Sequence, residues 1–234
     1  MAIYLYCVLR ATREPPATLL GIDGAPVRAV DLGGLGAWVS EVPSAPIVPS
    51  RERARSHDSV VRAALEGETP LPARFGQTLA SEEELRAAVA ARRVALETAL
   101  ARVEGAIEMT IRMLVPRSES EPSETTAAQS PRARSGREYL ERVAAAQREE
   151  RNVLAKTQLV RDRISAAVGG LVRAESFAAA APGSTLATLS HLIPRPDIDR
   201  YRHALLTVRH DDPALAFMVS GPWAPYSFTE GIGT

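Results

Sequence analysis

Little in these 234 residues points to covalent or metal chemistry. The one cysteine, Cys7, sits in an apolar run. That excludes an intrachain disulfide or a thiolate metal site and predicts a small buried hydrophobe. Lysine occurs once, as Lys156, so arginine carries the positive charge. Basic and acidic side chains total 28 each, a formal net charge of +0, which argues against a nucleic-acid binder or a polybasic membrane-surface protein. No apolar run approaches the roughly 18 residues of a membrane span. The first six residues lack the basic region and cleavage site of a signal peptide, so a cytoplasmic location is expected. Absent too are the serine-hydrolase elbow, the His-Glu-x-x-His zinc motif, the phosphate loop and the dinucleotide fingerprint. The four histidines do not fill the gap. His57 and Asp58, adjacent on a helix, do not face each other, and His57 reads as a helix-surface or satisfied core side chain. His203, His210, Asp211 and Asp212 gather at a helix end with loose spacing, and complementing the helix dipole explains them better than a metal. No catalytic residue, cofactor or metal site is expected, and the chain does not read as an enzyme.

What is present is an ordinary globular composition, 45% hydrophobic and 24% charged. Strands are expected at Ala2–Leu9, Val27–Leu32 and Gly36–Val42, the last two joined by a glycine-rich hairpin. Helical spacing covers Arg51–Glu66. Thr69–Gly76 is extended. One alanine-rich helix opens at Ser81 with a capping box to Glu84 and runs to about Gly105. Alternating Ile107, Met109, Ile111, Met113 and Val115 give a strand with one apolar and one polar face. Arg117–Ser135, rich in Ser, Glu, Thr and Pro, is expected to be disordered. A long helix from Gly136 to about Leu171 must project, kink or be covered, because it exceeds a small domain's width. Strands at Val172–Ala180 and Ser184–Ile193 meet at a Pro182-Gly183 turn. A helix capped by Asp197 and a central strand at Ala214–Val219 complete the chain. The fold class is therefore α+β, with an N-terminal α+β domain over 1–104. The second domain, 105–234, is ferredoxin-like, in the order β-α-β-β-α-β, with a long first helix.

After the last strand comes Ser220-Gly-Pro-Trp-Ala-Pro-Tyr-Ser-Phe228, which holds three of the chain's few aromatics and two prolines. A regular helix is excluded there, an extended or turning path is expected, and packing of Trp223, Tyr226 and Phe228 is required. This segment resembles the closing motif of gas vesicle proteins F and L, except that Ala224 stands where that family usually has proline. Leu71-Pro-Ala-Arg-Phe-Gly76 resembles their Leu-Pro-x-Arg-Phe-Gly motif, and Gly136-Arg-Glu-Tyr-Leu140 resembles the opening of their long helix. The order of the three covers nearly the whole chain.

The resemblance implies a cytoplasmic, gas-vesicle-associated accessory or minor structural protein without enzymatic activity. It implies binding to the small hydrophobic gas vesicle wall protein, contacts with other gas vesicle accessory proteins, and help in nucleating or forming the vesicle. The alternative is a ligand-responsive regulatory module on a ferredoxin-like fold. Candidate interface or interdomain-clamp residues are Arg74, Phe75, Tyr139, Trp223, Pro225, Tyr226 and Phe228. Arg74 and Phe75 read either as a strand end, with Phe75 in the core and Arg74 paired to an acid, or as a direct partner contact. For residues 220–228 the preferred expectation is a clamp between the two domains.

Overall fold

Ala2–Leu9, an unbroken apolar and aromatic run, forms β1 and is buried over all eight residues. Burial on both faces requires cover on both sides, and the rest of the fold supplies it. The computed structural model describes residues 1–114, 136–179, 186–211 and 216–229. The expected insert Arg117–Ser135, the Pro182-Gly183 turn and Asp212 lie outside them.

β2 (Arg28–Asp31) and β3 (Gly36–Val42) form the expected hairpin, and β3 pairs antiparallel with β1. The Asp31 carboxylate closes the turn by accepting from the Gly33 and Gly34 N–H groups. Two short strands, β4 (Leu71–Pro72) and β5 (Thr78–Leu79), pair with the other side of β1. The register of β1 against β3 slips between Leu5 and Cys7. This bulge keeps Tyr4, Tyr6, Cys7 and Leu9 in one core cluster and Ile3, Leu5 and Val8 in another. α1 (Arg51–Gly67), capped by Ser50, covers the first set with Val60, Val61 and Ala64.

The second set lies under α2 (Glu82–Ala91) and α3 (Arg93–Val103) through Leu85, Val89, Leu96 and Leu100. Sequence spacing predicts one helix here, but there are two. Arg92 departs from helical geometry at φ −116°, ψ 15°. The break lets Arg93 turn back and donate to the Leu32 and Gly33 carbonyls at the β2–β3 turn. Half of the expected capping box forms, with Ser81 Oγ accepting from the Glu84 N–H, while the Glu84 carboxylate accepts from the Ala80 N–H and not from that of Ser81.

The second sheet has the expected β-α-β-β-α-β order. Its elements are β6 (Ala106–Leu114), α4 (Gly136–Val168), β7 (Ala174–Ala178), β8 (Leu186–Pro194), α5 (Ile198–Asp211) and β9 (Phe217–Trp223). The strands lie in the order β7-β8-β6-β9, all antiparallel. Asp197 sits in a 3-10 turn leading into α5 and pairs with Arg200 at 2.9 Å. α4 and α5 cover one face, where Ile164, Val168, Tyr201 and Leu205 pack on Ile107, Met109, Ile111 and Met113. At 33 residues α4 is about 50 Å long. Leu140 in its second turn and Leu154 near its middle are exposed.

One expectation for this half fails. The apolar run ending at Val219 suggests a central strand, but among the described residues β9 is an edge strand bonded only to β6. A ββ hairpin inserted after α4 puts β8, not β9, on the inner side of β6. The other face of β6 is polar as expected, with Arg112 exposed, but Glu108 on it is only 4% exposed.

The two sheets share cores. Leu65 of α1 belongs to the second sheet's cluster, while Leu192 of β8 belongs to a cluster of the first. Thr69 Oγ1 donates to the Ala106 carbonyl at 2.8 Å, and Arg195 reaches the Leu65 carbonyl.

Candidate functional site

Ser220–Phe228 starts as strand. Ser220 to Trp223 is the end of β9, opposite Thr110 to Glu108, with one extra residue on the β9 side. That bulge holds Gly221 at φ +127° and a cis Gly221–Pro222 bond. A Cβ on Gly221 would lie 2.8 Å from Met109 Sδ and 2.9 Å from the Glu108 carbonyl oxygen. The position therefore needs glycine for both its backbone angle and its clearance. Gly221→Ala is expected to cost about 2 kcal/mol or more, read as a lower urea midpoint at unchanged slope. A midpoint equal to that of the parent chain would refute the assignment.

Past the bulge the chain crosses from the second sheet to the first. Trp223 is half-buried, with the Arg62 guanidinium 5.1 Å from its ring centre and its own N–H donating to Ser220 Oγ. Ala224 is buried in the cluster of Tyr4, Tyr6, Trp38 and Val61. Pro225 is also buried. Tyr226 lies 6.5 Å from the His57 ring and stays 37% exposed. Ser227 donates twice to the buried Glu108 carboxylate, through its N–H at 2.8 Å and its hydroxyl at 2.7 Å. Phe228 enters the other core cluster, beside Leu5, Leu100 and Leu192, with Arg102 5.9 Å from its ring centre.

The Leu71–Gly76 motif arrives at the same place from the other side. Gly76 turns at φ +85°, which directs its N–H to the Tyr4 hydroxyl at 3.0 Å. Phe75 packs edge-on against His57 at 5.9 Å and against Tyr4 at 6.5 Å. Arg74 points outward and is exposed. The acid expected to pair with it is not found among the described residues. Tyr139 falls in the first turn of α4, far along the chain from this junction, and its side chain lies outside the description.

His57 is the hub. It is 3% exposed, its Nδ1 lies 2.9 Å from the Tyr4 hydroxyl, and among the described residues its Nε2 has no hydrogen bond of ordinary geometry. Burial pushes its pKa down to about 4, against the opposing influence of the Ala73 backbone and Asp58. The ring is thus neutral at pH 7 and serves as an aromatic plate. Cys7 lies in the same core, and burial raises its thiol pKa, so it is no nucleophile. Between α1 and β9 an open groove of about 340 Å³ is walled by Arg62, Leu65, Pro222 and Trp223.

A second polar cluster escapes sequence reasoning. His191, fully buried, places Nδ1 2.8 Å from the Tyr201 hydroxyl and Nε2 3.1 Å from Glu175. Glu175 also accepts from Arg161 and Ser165. Burial of Glu175 opposes its ionisation, but these bonds outweigh it and hold the carboxyl below its ordinary value. The signal available was register: in the β7–β8 hairpin Glu175 stands opposite His191. None of the described pockets opens onto these groups. They satisfy one another inside the second sheet. Among the described residues no group of His, Cys, Asp and Glu could hold a metal ion, and no helix is long and apolar enough to cross a membrane.

Comparison with known proteins adds a frame. The family described as gas vesicle synthesis protein GvpL/GvpF matches residues 2–230. Gas vesicle protein L of Streptomyces sp. (strain CB03234) is 25% identical over 245 residues, covering 96% of this chain and 91% of that one. Gas vesicle protein F of the same strain is 25% identical over 243 residues, covering 98% and 100%. The crystal structure of gas vesicle protein GvpF from Microcystis aeruginosa superposes with a TM-score of 0.78 at 18% identity, covering 98% and 99% of the two chains. The crystal structure of GvpF from Anabaena sp. PCC7120 gives 0.76 at 19%, covering 98% of each. At these identities the structural likeness carries the fold.

Proposed function

The chain belongs to the gas vesicle synthesis protein GvpL/GvpF family, and from that membership we propose that it is a non-enzymatic accessory protein of vesicle assembly. It binds the small hydrophobic wall protein in the cytoplasm and aids nucleation of the vesicle. Residues 1–104 and 105–234 act as two α+β domains, held together by Ser220–Phe228. A wall subunit with an apolar face needs a partner until it joins the shell.

One observation carries this reading. The two motifs that resemble the family most, Leu71–Gly76 and Ser220–Phe228, converge on a single ring, His57, through Phe75 and Tyr226. Each buries its inner residues and leaves a rim outside: Arg74, Pro222, Tyr226 and the half-buried Trp223 beside Arg62. Aromatic and arginine side chains with one face free are the usual anchors of an interface.

The chain is expected to capture the wall protein in a pull-down at moderate salt, and its deletion to reduce vesicle number. No capture together with normal vesicles would end the proposal. Arg74→Ala separates the two roles of its motif. Because Arg74 is exposed, the variant is expected to keep its stability to within about 0.5 kcal/mol and to lose wall-protein capture. An unfolded variant would assign Arg74 to the scaffold instead.

A further inference from the structure

β9 is the outer strand of its sheet, and its far side has no strand partner among the described residues. Alternate residues of such an edge direct N–H and C=O groups outward, where they template another strand. The available length is short. Pro222 has no N–H, and the Gly221 carbonyl already accepts from Arg202 at 3.4 Å, so the free edge is Phe217 to Ser220.

Beside this edge runs a second feature. α5 stands off from β9 and leaves a groove of about 280 Å³, lined by Leu205, Leu206, Phe217 and Val219 with Arg202 and Arg209 along its rim. Val219 pairs with Ile111 and Phe217 with Met113, so both face the helix layer. A strand added to β9 would drop every second side chain into this groove. The apolar surface is left open: Leu206 is 53% exposed, Val219 38%, and Met218, on the opposite face, 75%.

Charge selects the occupant. Among the described residues no acid lines the groove and neither Arg202 nor Arg209 forms an ion pair. A second copy of this chain pairing edge to edge would bring the two α5 helices side by side and set arginine against arginine. Like charges there disfavour self-pairing and favour a carboxylate-bearing partner. Arg202 and Arg209 are two helical turns apart, roughly 10 Å, a span of three to four strand residues.

We propose that the β9 edge and the α5 groove take an extended segment of another protein as an added strand, an apolar side chain in the groove flanked by two carboxylates on Arg202 and Arg209. This gives a surface and a recognition mode to the partner binding of the preceding section, and it rests on that reading for the partner's biological identity. Main-chain bonds supply the docking and alternate side chains the selectivity.

Two arms test it. In the first, the intact chain is titrated with a blocked heptapeptide of the pattern Val-Asp-Thr-Val-Thr-Asp-Val, and with the same peptide carrying Lys for Asp. The acidic peptide is expected to bind at least ten-fold tighter, to protect the amides of residues 217–220 from hydrogen exchange, and to weaken with added salt. R202E/R209E, at two exposed positions, is expected to keep its melting temperature and to invert the peptide preference. Equal binding of both peptides, or unprotected amides at 217–220, overturns the proposal. So does protection of those amides in the free chain together with a dimer in sedimentation, which would assign the edge to a second copy. In the second arm, R202E/R209E is used in the wall-protein pull-down. If the parent chain captures wall protein and the variant captures it equally, the edge is not the surface used and this inference fails while the function stands. If the parent captures none, the functional reading fails, and the peptide arm still decides the edge.

Discussion

Ending the chain after Val219 is expected to lower its melting temperature by about 10 °C or more. Three losses coincide. The Ser220–Trp223 end of β9 no longer pairs with β6. Ala224 and Phe228 leave two different core clusters, and removal of a buried phenylalanine side chain alone costs about 3–5 kcal/mol. Glu108, 4% exposed, loses both bonds from Ser227, and an orphaned buried carboxylate adds at least about 1–3 kcal/mol. For a chain of this length each kcal/mol moves the midpoint by about 2–4 °C. Phe228→Ala in the full chain should reproduce a third to a half of the shift. Calorimetry of the three proteins checks this. An unchanged midpoint in the truncated chain would rule out the clamp and leave Ser220–Phe228 a binding segment only.

Acid should weaken the fold through His57 by about 3 kcal/mol. In the unfolded chain the ring protonates as pH falls through its ordinary value near 6.5; in the folded chain burial delays this to about 4. Stability is therefore complete above about pH 6.5, declines below it, and is lost in full below about 4, at 1.36 kcal/mol per unit. His191, held down by burial, and Glu175, held down by its network, drive stability in the same direction. The readout is thus a difference: urea unfolding of parent and His57→Gln between pH 7 and 4. The variant is less stable at pH 7, having lost the ring against Tyr4, Phe75 and Tyr226, and its curve is flatter toward acid. Parallel curves would show that His57 contributes none of the pH dependence.

Much of this architecture was legible in the residues because it is local. Alternation in Ile107–Met113, helical spacing in Arg51–Glu66 and the glycine turn at 33–36 each declare their element without reference to the rest of the chain. What stayed hidden depends on contacts between distant residues. Nothing near Arg92 announces a break, because its reason is Arg93 reaching the Leu32 and Gly33 carbonyls. Alternation puts Glu108 on the polar face of its strand, and nothing local announces that Ser227 buries it there. β9 reads as a central strand because its apolar residues say nothing about which strand lies beside it. At the candidate site Phe75, Trp223, Tyr226 and Phe228 were legible as residues that must pack, whereas His57, the ring on which two of them meet, read as either a helix-surface or a satisfied core side chain.

The placement of Ala224 and Phe228 also bears on how the protein comes into being. β1 is made before the elements that cover it, and its two faces are completed by side chains made more than two hundred residues later. Until then Tyr4, Tyr6 and Leu5 lack part of their cover, so residues 1–104 emerging alone present apolar surface on both sides of one sheet. Contacts of such sequence separation form slowly, because a long loop must close before they stabilise anything. An interrupted product would therefore stay sticky and open to proteolysis until residues 224–228 cover both faces.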